Sequence, residues 1–302
     1  METKHDRLLG LGILTVASLS LAVSVFGCKL WTGTPATEFR LASYNIKQDD
    51  GQETTPGRTW AERLPKIRQI ACDYSFDIVG FQEVVREYQL DGLKKAFPEF
   101  GFIGSGRDAG QKGEGAFIMY RKSMFDLLKD GAFMLGEDPD GWGRKGWDAM
   151  CPRVCNWGLF RQKATGRKFL FFNTHLDHMG KVARVKEMEL VIARAKAMSE
   201  EGTLAFLTGD MNVPVTAAAI KTAETYFDNA FKVTQTPRRG PDRSWNNWEV
   251  EAKRSRGALI DYIFLSRRPD LVQVKDLAVL DDRYDGFYPS DHFPLVATID
   301  MK

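Results

Sequence analysis

Residues 290–295 read Ser-Asp-His-Phe-Pro-Leu, which places an acid and an imidazole directly before an apolar run. Three further stretches have a similar construction: Ile-Asp-Tyr-Ile-Phe at 260–264, Gly-Asp-Met-Asn at 209–212 and Asn-Thr-His-Leu at 173–176. In each of them polar side chains adjoin apolar residues that are typical of a buried β-strand. Because rigid strands hold such side chains in place, we expect these stretches to bring their acids, amides and imidazoles together in one cleft.

The rest of the chain alternates strand-like and helix-like segments. Strands are predicted at 39–47, 77–84, 101–104, 116–121, 154–162, 168–175, 204–208, 259–265, 272–280 and 295–299, and helices at 60–73, 88–97, 181–198 and 216–225. A short turn that contains Gly166 separates two of these strands and predicts a β-hairpin. This order suits two layers of sheet covered by helices.

The composition is that of a globular protein. The chain has 302 residues, of which 43% are hydrophobic and 12% aromatic, whereas disordered chains are poor in both classes. Length alone allows one domain or two. The net charge of +2 is too small for a global field that would attract polyanions.

The N-terminus has the order of a secretory signal, with Lys4 and Arg7 ahead of an apolar stretch over 8–26. The junction before Cys28 resembles a bacterial lipobox, which implies a lipoprotein signal peptide at 1–27, lipidation of Cys28, a tether at 28–37 and a catalytic domain at 38–302. A retained membrane anchor is the alternative, because the apolar stretch approaches the length of a bilayer span. Either way we expect an exported, membrane-anchored monomer, periplasmic or at the cell surface, with no protein partner implied.

Cys151 and Cys155 raise the question of a disulfide, since exported proteins form them. If both residues share a strand, their side chains lie on one face about two pleats apart, which is far for an S–S bond. We therefore expect free, buried thiols.

Two strand ends carry residues that suit a hard cation. Glu83 follows an apolar run at 78–81, and a carboxylate at the lip of a buried strand is costly without a partner. Mg²⁺ takes oxygen ligands and needs only one or two carboxylates. Asn45, at the end of the first strand, is the candidate neighbour of Glu83. The alternatives are a helix cap for Glu83 and a turn for Asn45.

Asp210 and Asn212 follow a predicted strand and point to the same rim. Asp210 suits the orientation or deprotonation of water and Asn212 suits donation to a phosphate oxygen, with an Asx turn as the alternative. His175 and His292 lie in the polar clusters, and an imidazole exchanges protons near neutral pH. Asp261 is available to orient His292.

The motifs Ser-Tyr-Asn-Ile, Phe-Gln-Glu-Val, Asn-Thr-His-Leu, Gly-Asp-Met-Asn, Ile-Asp-Tyr-Ile-Phe and Ser-Asp-His-Phe-Pro resemble, in order and rough spacing, those of the endonuclease/exonuclease/phosphatase superfamily. The resemblance runs from about residue 39 to residue 299. The superfamily includes pancreatic deoxyribonuclease, abasic-site endonucleases, deadenylases, neutral sphingomyelinases and inositol-polyphosphate 5-phosphatases. It implies an α+β fold, a four-layer αββα sandwich of two packed, mainly antiparallel sheets flanked by helices, with the active site at one end of the sheets.

The resemblance also implies roles. Glu83 looks like the principal Mg²⁺ ligand, with Asn45 beside it, Asp291 as a further ligand, and Mn²⁺ or Ca²⁺ as substitutes. Asp210 resembles the acid that orients water, Asn212 the phosphate donor, Asp261 the partner of His292, and His175 a second imidazole that contacts the phosphate.

Two further assignments come from the deoxyribonuclease branch and the central hairpin. In that branch a glutamate six residues before the Tyr of a Tyr-Arg strand end holds the second imidazole, and Glu114 stands six residues before Tyr120. An exposed loop residue is the alternative for Glu114. Arg153 resembles the arginine that reaches the phosphate just before the hairpin, and a surface ion pair is its alternative.

Substrate choice should depend on two loops, because the fold fixes the class of bond and not the molecule. One loop, at 141–148, leads into Arg153, and the other, at 236–258, mixes basic residues with Trp245 and Trp248. Basic residues interleaved with aromatic ones suit nucleic acid. They also suit an anionic head group or a sugar phosphate, and a solvated loop with its tryptophans on the core is the plain alternative.

Three functional hypotheses follow. The first is an exported, Mg²⁺-dependent phosphodiesterase or nuclease that acts on nucleic acid or nucleotides. The second is a phosphatase or phospholipase-like hydrolase of inositol phosphates, sphingomyelin or other phosphorylated small molecules. The third, a catalytically silent binding protein, is disfavoured because Glu83, Asp210 and His292 are all present.

Overall fold

A computed structural model of the chain describes residues 35–249 and 258–302. Its strands are β1 (Glu38–Asn45), β2 (Ile78–Gln82), β3 (Val84–Val85), β4 (Phe100–Ile103), β5 (Gly106–Asp108), β6 (Lys112–Gly115), β7 (Ile118–Arg121), β8 (Phe125–Met134), β9 (Val154–Gln162), β10 (Lys168–His175), β11 (Leu204–Asp210), β12 (Phe227–Asn229), β13 (Asp261–Ser266), β14 (Val272–Val279) and β15 (Leu295–Met301). Its α-helices are α1 (Trp60–Asp73), α2 (Gln89–Ala96), α3 (Lys181–Met198), α4 (Ala218–Ala223) and α5 (Ala230–Val233).

Some predictions fall outside these residues. They are the signal peptide at 1–27, lipidation of Cys28, most of the tether at 28–37, and the basic residues Lys253, Arg254 and Arg256 of the second loop. Within 35–249 and 258–302, every helix is too short or too polar to cross a lipid bilayer.

Two six-stranded sheets pack face to face. The strand order is β14-β15-β1-β2-β7-β4 in one sheet and β12-β13-β11-β10-β9-β8 in the other, with a small third sheet of β3, β6 and β5. Each large sheet is antiparallel except for one parallel pair at its centre, β1 with β2 and β10 with β11. The predicted α+β sandwich of two mainly antiparallel sheets flanked by helices is confirmed.

Alternation of side chains along the central strands builds three layers of core. In β1, Phe39 and Leu41 face the opposite sheet, whereas Ala42 and Tyr44 pack with residues of α1 and α2. Phe39 stacks across the interface on Phe169, with ring centroids 5.9 Å apart. The outer face of β10 and β11 is covered by α3 and α4. Strands buried on both faces read as continuous apolar runs, which is why the sequence pattern located them.

The secondary structure agrees with the prediction where the apolar pattern is strong. The helices at 60–73 and 181–198 and the hairpin strands at 154–162 and 168–175 have the predicted bounds. Strand β8 was not predicted. It is an edge strand with exposed charged residues at its middle, Lys129 and Asp130, so it has no continuous apolar run.

The two cysteines are free, as expected. Cys155 is buried in β9, but Cys151 precedes the strand and is only half-buried. The expectation that both thiols are buried was therefore wrong for Cys151, because the chain around it belongs to a loop.

The parallel strand pairs determine where the polar residues meet. Asn45 lies opposite Gln82 at the end of β1 and β2, and His175 lies opposite Asp210 at the end of β10 and β11. Asp261, the first residue of the antiparallel β13, pairs with Asp210. Both sheets therefore present polar residues at the same end of the sandwich.

Candidate active site

Asn45 links the two sheets at the floor of the cleft. Its Nδ2 donates to Oε1 of Glu83 at 3.0 Å and to Oδ2 of Asp210 at 3.1 Å. Glu83 has a left-handed backbone, φ 59°, which turns its side chain out of the end of β2, and the backbone N–H of Gln48 donates to its Oε2 at 3.0 Å. A non-glycine residue in this conformation costs about 1–3 kcal/mol and persists only where its surroundings hold it.

Glu83 and Asp291 form a carboxylate pair with a cation between them. Nζ of Lys47 lies 3.5 Å from Glu83 and 3.9 Å from Asp291. Burial raises the pKa of Asp291. Burial also opposes ionisation of Glu83, but Lys47 and other neighbours hold the pKa of Glu83 below its ordinary value. The cleft thus already balances these two acids with a positive charge.

This donor set fits a divalent ion. The carboxylates of Glu83 and Asp291 supply oxygen, the ligand that Mg²⁺ and Ca²⁺ prefer. The third residue predicted for the metal, Asn45, lies beside Glu83 but turns its amide nitrogen to it, because its carbonyl accepts the backbone N–H of Lys47 at 3.0 Å. A second group, Asp210, Asp261 and His292, also has ligand atoms within 4.8 Å of one another. That group suits a cation less well, because an imidazole that is already hydrogen-bonded and protonated has no lone pair to offer.

His292 is bound by Asp261. Its Nδ1 lies 2.9 Å from Oδ2 of Asp261, and its Nε2 lies 3.7 Å from Oδ2 of Asp210. Burial alone would lower the pKa of this imidazole, but Asp261, Asp210 and Asp291 outweigh it and raise the pKa of His292 to about 10. The side chain is therefore an imidazolium at neutral pH, with Nε2–H directed towards the cleft.

Asp210 lies between the two imidazoles and is almost fully buried. Its Oδ1 accepts the backbone N–H of Asn212 at 2.9 Å, and its Oδ2 is the oxygen that faces the cleft. Burial and the nearby Asp261 raise the pKa of Asp210 to about 7. A carboxyl group with this pKa is present in both protonation states at neutral pH.

His175 is held by Asn212. The Asn212 amide, on a residue with φ 54°, donates to Nε2 of His175 at 2.8 Å and to the carbonyl of Leu176 at 2.9 Å. Burial and the neighbouring Arg153 hold the pKa of His175 well below its ordinary value, so the ring is neutral. Both amide hydrogens of Asn212 are in use, so its predicted bond to a phosphate oxygen would have to replace one of these two.

Glu114 does not hold His175 in the way that the sequence assignment implies. Its Oε1 is 3.5 Å from Nδ1 of His175, outside hydrogen-bond range, and Nδ1 has no hydrogen-bond partner among the described residues. The carboxylate instead binds Arg107 through two bonds of 3.0 and 2.8 Å. Arg107 and Glu114 lie on adjacent antiparallel strands, β5 and β6, where a guanidinium can grip both oxygens.

Arg153 is buried beside this pair, with 3% of the residue exposed. Its Nη2 contacts Nδ1 of His178 at 3.1 Å, and its Nε is 3.6 Å from Asp177. Its Nε and Nη1 have no hydrogen-bond acceptor in the described part of the chain. With His175 and other residues it lines a cavity of about 10 Å³. The alternative of a surface ion pair does not apply, because the acids near Arg153, Asp177 and Glu114, are both buried.

The second predicted substrate loop is mostly neutralised where it is described. Arg238 pairs with Asp242, Arg239 with Asp276 at 2.7 Å, and Arg243 with Glu249 at 3.7 Å. Trp248 packs under Arg58, whose guanidinium carbon is 5.0 Å from the ring centroid, so one face of the indole is already covered.

Sequence reasoning missed two cations of the cleft. Lys47 follows the Asn45 motif without belonging to a recognisable pattern, and Arg107 precedes Glu114 by seven residues in a glycine-rich hairpin. The only available signal was the hairpin itself, since pairing of β5 with β6 brings Arg107 next to Glu114.

Residues 42–292 match the model of the Endonuclease/Exonuclease/phosphatase family. A family protein from Bacteroides thetaiotaomicron is 36% identical, with a TM-score of 0.80 over 87% of this chain and 94% of that one. The mannosyl-6-phosphatase of the same organism is 37% identical, with a TM-score of 0.79 over 86% and 99%.

A more distant structure, D. rerio TDP2 with a single-strand DNA product, is 20% identical, with a TM-score of 0.67 over 87% of this chain and 99% of that one. At this identity the likeness concerns the fold alone. The search of curated proteins gave no match.

Proposed function

The chain belongs to the endonuclease/exonuclease/phosphatase family of phosphoester hydrolases, and we propose that it is a divalent-metal-dependent phosphatase that removes phosphate from sugar-phosphate monoesters. The observation that carries this proposal is the buried guanidinium of Arg153, which keeps Nε and Nη1 without an acceptor among the described residues beside His175. A small anion that enters the cleft supplies those acceptors.

Glu83 and Asp291, with Asn45 beside them, are the residues that would hold the metal. When bound, a divalent cation stabilises the negative charge that develops on the phosphoryl oxygens. Mg²⁺ is the ion we propose, with Mn²⁺ or Ca²⁺ as substitutes, because the donor atoms are oxygens.

The remaining residues divide the proton chemistry. Asp210 is fixed by the N–H of Asn212 at Oδ1 and by the Asn45 amide at Oδ2; through Oδ2 it orients a water molecule and takes its proton when ionised. His292, held by Asp261 through Nδ1, donates Nε2–H to a phosphoryl oxygen or to the leaving oxygen. His175 is kept neutral and in place by Asn212 and contacts the phosphate from the other side.

Two observations favour a small monoester over nucleic acid, the first hypothesis from the sequence. The described arginines of the 236–258 loop are paired with acids, so they do not form a free cationic track for a polyanion. The mannosyl-6-phosphatase at 37% identity supports a sugar phosphate as the class of substrate.

The test is a substrate panel with Mg²⁺, Mn²⁺ or Ca²⁺, scored for inorganic phosphate and for cleavage of polymers in the same reactions. The panel contains mannose 6-phosphate, other hexose phosphates, inositol phosphates, a plasmid and an RNA. We expect phosphate release from hexose phosphates, abolished by EDTA and absent from a Glu83→Gln variant purified in parallel. Cleavage of plasmid or RNA without release of free phosphate would contradict the proposal and show that the protein is a nuclease.

We also propose that the protein is exported and anchored through lipidated Cys28, ahead of a tether to residue 37 and a catalytic domain over 38–302. Membrane fractionation of cells that express the parent and a Cys28→Ala variant tests this. We expect the parent in the membrane fraction and the variant outside it, and a parent found in the cytosol would contradict the proposal.

A further inference from the structure

We infer that Arg107 and Arg153 form a two-arginine subsite for the oxygens of a phosphate group, and that Glu114 positions these arginines and not His175. The inference rests on the proposed function, since it names groups that would bind the phosphate of that substrate. Arg107 was not a candidate in the sequence, and Glu114 had been assigned to the imidazole.

Both guanidinium groups converge on one carboxylate. Arg107 donates to the two oxygens of Glu114 at 3.0 and 2.8 Å, and Nη1 of Arg153 lies 3.9 Å from Oε1 of the same residue. All three side chains line the cavity that His175 also borders. The two arginines are therefore neighbours at the edge of the cleft.

The two arginines are balanced in charge, but Arg153 is not satisfied in hydrogen bonds. Arg107 pairs with Glu114 at 2.8 Å, and Nε of Arg153 lies 3.6 Å from Asp177, so two positive charges face two negative ones. The side chain of Arg153 is only 4% exposed, and a buried donor without an acceptor is costly. The oxygens of an anion beside the two arginines would supply acceptors.

Hydrogen-bond capacity points to the same ligand. A guanidinium has five N–H donors, and the pair with Glu114 uses two of those of Arg107. Nε and Nη1 of Arg153 have no acceptor in the part of the chain that is described. Guanidinium groups bind phosphate through paired hydrogen bonds, so both arginines have donors left for phosphate oxygens.

Glu114 does not brace His175, because its carboxylate is turned to Arg107 and leaves Nδ1 of His175 without a hydrogen bond among the described residues. By contrast, Oδ2 of Asp261 lies 2.9 Å from Nδ1 of His292, within hydrogen-bond range. At 3.5 Å the Glu114–His175 contact is too long for a hydrogen bond. Glu114 instead fixes the orientation of the Arg107 guanidinium.

The subsite favours a monoester over a diester. A phosphate monoester has three oxygens free of ester bonds, so two can bind the arginines while one remains for His292 and the metal side of the cleft. A diester has only two such oxygens. The subsite is therefore a second reason to expect a substrate with a terminal phosphate.

The experiment compares Arg107→Gln and Arg107→Lys with a control, Arg161→Gln. Arg161 is a half-exposed arginine that binds Asp126 on the neighbouring strand at 3.2 and 2.8 Å, away from the cleft and from both predicted substrate loops. Titration calorimetry with inorganic phosphate, in the presence of Mg²⁺, measures binding directly, and kcat and KM are measured on the best sugar phosphate. Circular dichroism and thermal melting check that each variant is folded.

We expect Arg107→Gln to weaken phosphate binding and to raise KM by about tenfold to a hundredfold, the range for a hydrogen bond to a charged group, with a smaller change in kcat. Arg107→Lys should bind phosphate better than Arg107→Gln but less well than the parent, because lysine keeps the positive charge but cannot form the paired hydrogen bonds of a guanidinium. Arg161→Gln should match the parent. Unchanged phosphate affinity in a folded Arg107→Gln protein would overturn the subsite.

Glu114→Gln separates the two roles of Glu114. If Glu114 positions the arginines, the variant should keep the parent's pH dependence of kcat. A shift in the pKa that this pH profile reports would show instead that Glu114 acts on His175. Failure of the proposed function looks different. In that case the parent releases no phosphate from any sugar phosphate, while calorimetry with inorganic phosphate still decides the subsite.

Discussion

The cleft has an acidic side around His292 and a guanidinium side around His175, with Asp210 between them. Oδ2 of Asp210 lies 3.7 Å from Nε2 of His292 and 3.5 Å from Nε2 of His175. His292 is surrounded by Asp261, Asp210 and Asp291, whereas His175 faces Arg153. The two imidazoles are both buried, yet one is held charged and the other neutral.

The difference teaches that burial does not decide the protonation of a histidine. Burial lowers the pKa of both rings, and the sign of the neighbouring charges then separates them. A hydrogen-bonded carboxylate makes His292 a proton-bearing donor. Burial and the neighbouring arginines keep His175 neutral.

The largest effect should come from removing the charged imidazole. We expect His292→Gln to lower kcat by about 10²–10⁴-fold, the usual contribution of a general acid or base. His175→Gln should cost less, because Nε2 of His175 already accepts the Asn212 amide and is not available to exchange a proton. Steady-state kinetics on the best sugar phosphate, with saturating Mg²⁺, measures both. A greater loss for His175→Gln would reverse the assigned roles.

Glu187 tests the guanidinium side through stability. It is buried in α3, accepts the backbone N–H of Asp177 at 2.9 Å, and burial raises its pKa to about 7. Because its folded pKa lies above the unfolded value, the parent is most stable while Glu187 is protonated and loses stability as pH rises from about 4.5 to 7.

Glu187→Gln removes that dependence. Relative to the parent, the variant should gain up to about 3 kcal/mol between pH 4.5 and pH 8, following 1.36 kcal/mol per pKa unit. Urea unfolding at the two pH values measures the gain. A variant that is less stable than the parent at pH 8 would mean that ionised Glu187 supports Arg153 and Arg184.

Asp261→Asn tests the acidic side by removing the partner of His292 while keeping its shape. Loss of a hydrogen bond to a charged group predicts a fall in kcat of about tenfold to a hundredfold, less than for removal of the ring itself. Asp270→Asn, at an exposed acid that pairs with Arg268 at 2.9 Å outside both predicted substrate loops, is the matched control. Equal kcat for Asp261→Asn and the parent would show that His292 needs no brace.

Lys47→Met should have the smallest effect, and this effect should be a gain, namely tighter binding of the metal. Its ammonium stands 3.5 Å and 3.9 Å from the two proposed metal ligands, so it competes with a cation for them. Because the side chain is 38% exposed, screening keeps the gain in Mg²⁺ or Mn²⁺ affinity to about three- to tenfold. Calorimetry measures this, with Lys122→Met as control, and weaker metal binding would show that Lys47 assists the metal.

The sequence predicted the acidic side of the cleft better than the guanidinium side. Asn45, Glu83, Asp210 and His175 follow buried strands, and the ends of the central parallel pairs must lie at one edge of the sandwich, so their convergence could be deduced. Asp261 and His292 are in motifs at strand starts, which the family resemblance located.

The guanidinium side depends on partners that no local pattern specifies. Glu114 was identified by its spacing from Tyr120, but whether its carboxylate binds an imidazole or an arginine depends on how β5 pairs with β6. Strand β8 was missed for a similar reason, since an edge strand with a solvated middle lacks the apolar run that marks a strand. Long-range pairing, and not composition, decides both.

The strand β1 runs from Glu38 to Asn45, and β15 returns beside it to Met301, whose N–H bonds to the carbonyl of Thr37. Eight residues of strand span about 25 Å, so Glu38 and Lys302 are at the base of the sandwich and the cleft is at its top. A bead, chip or affinity handle coupled at Lys302 would leave the mouth of the cleft pointing into the surrounding liquid, ready for a flow reactor.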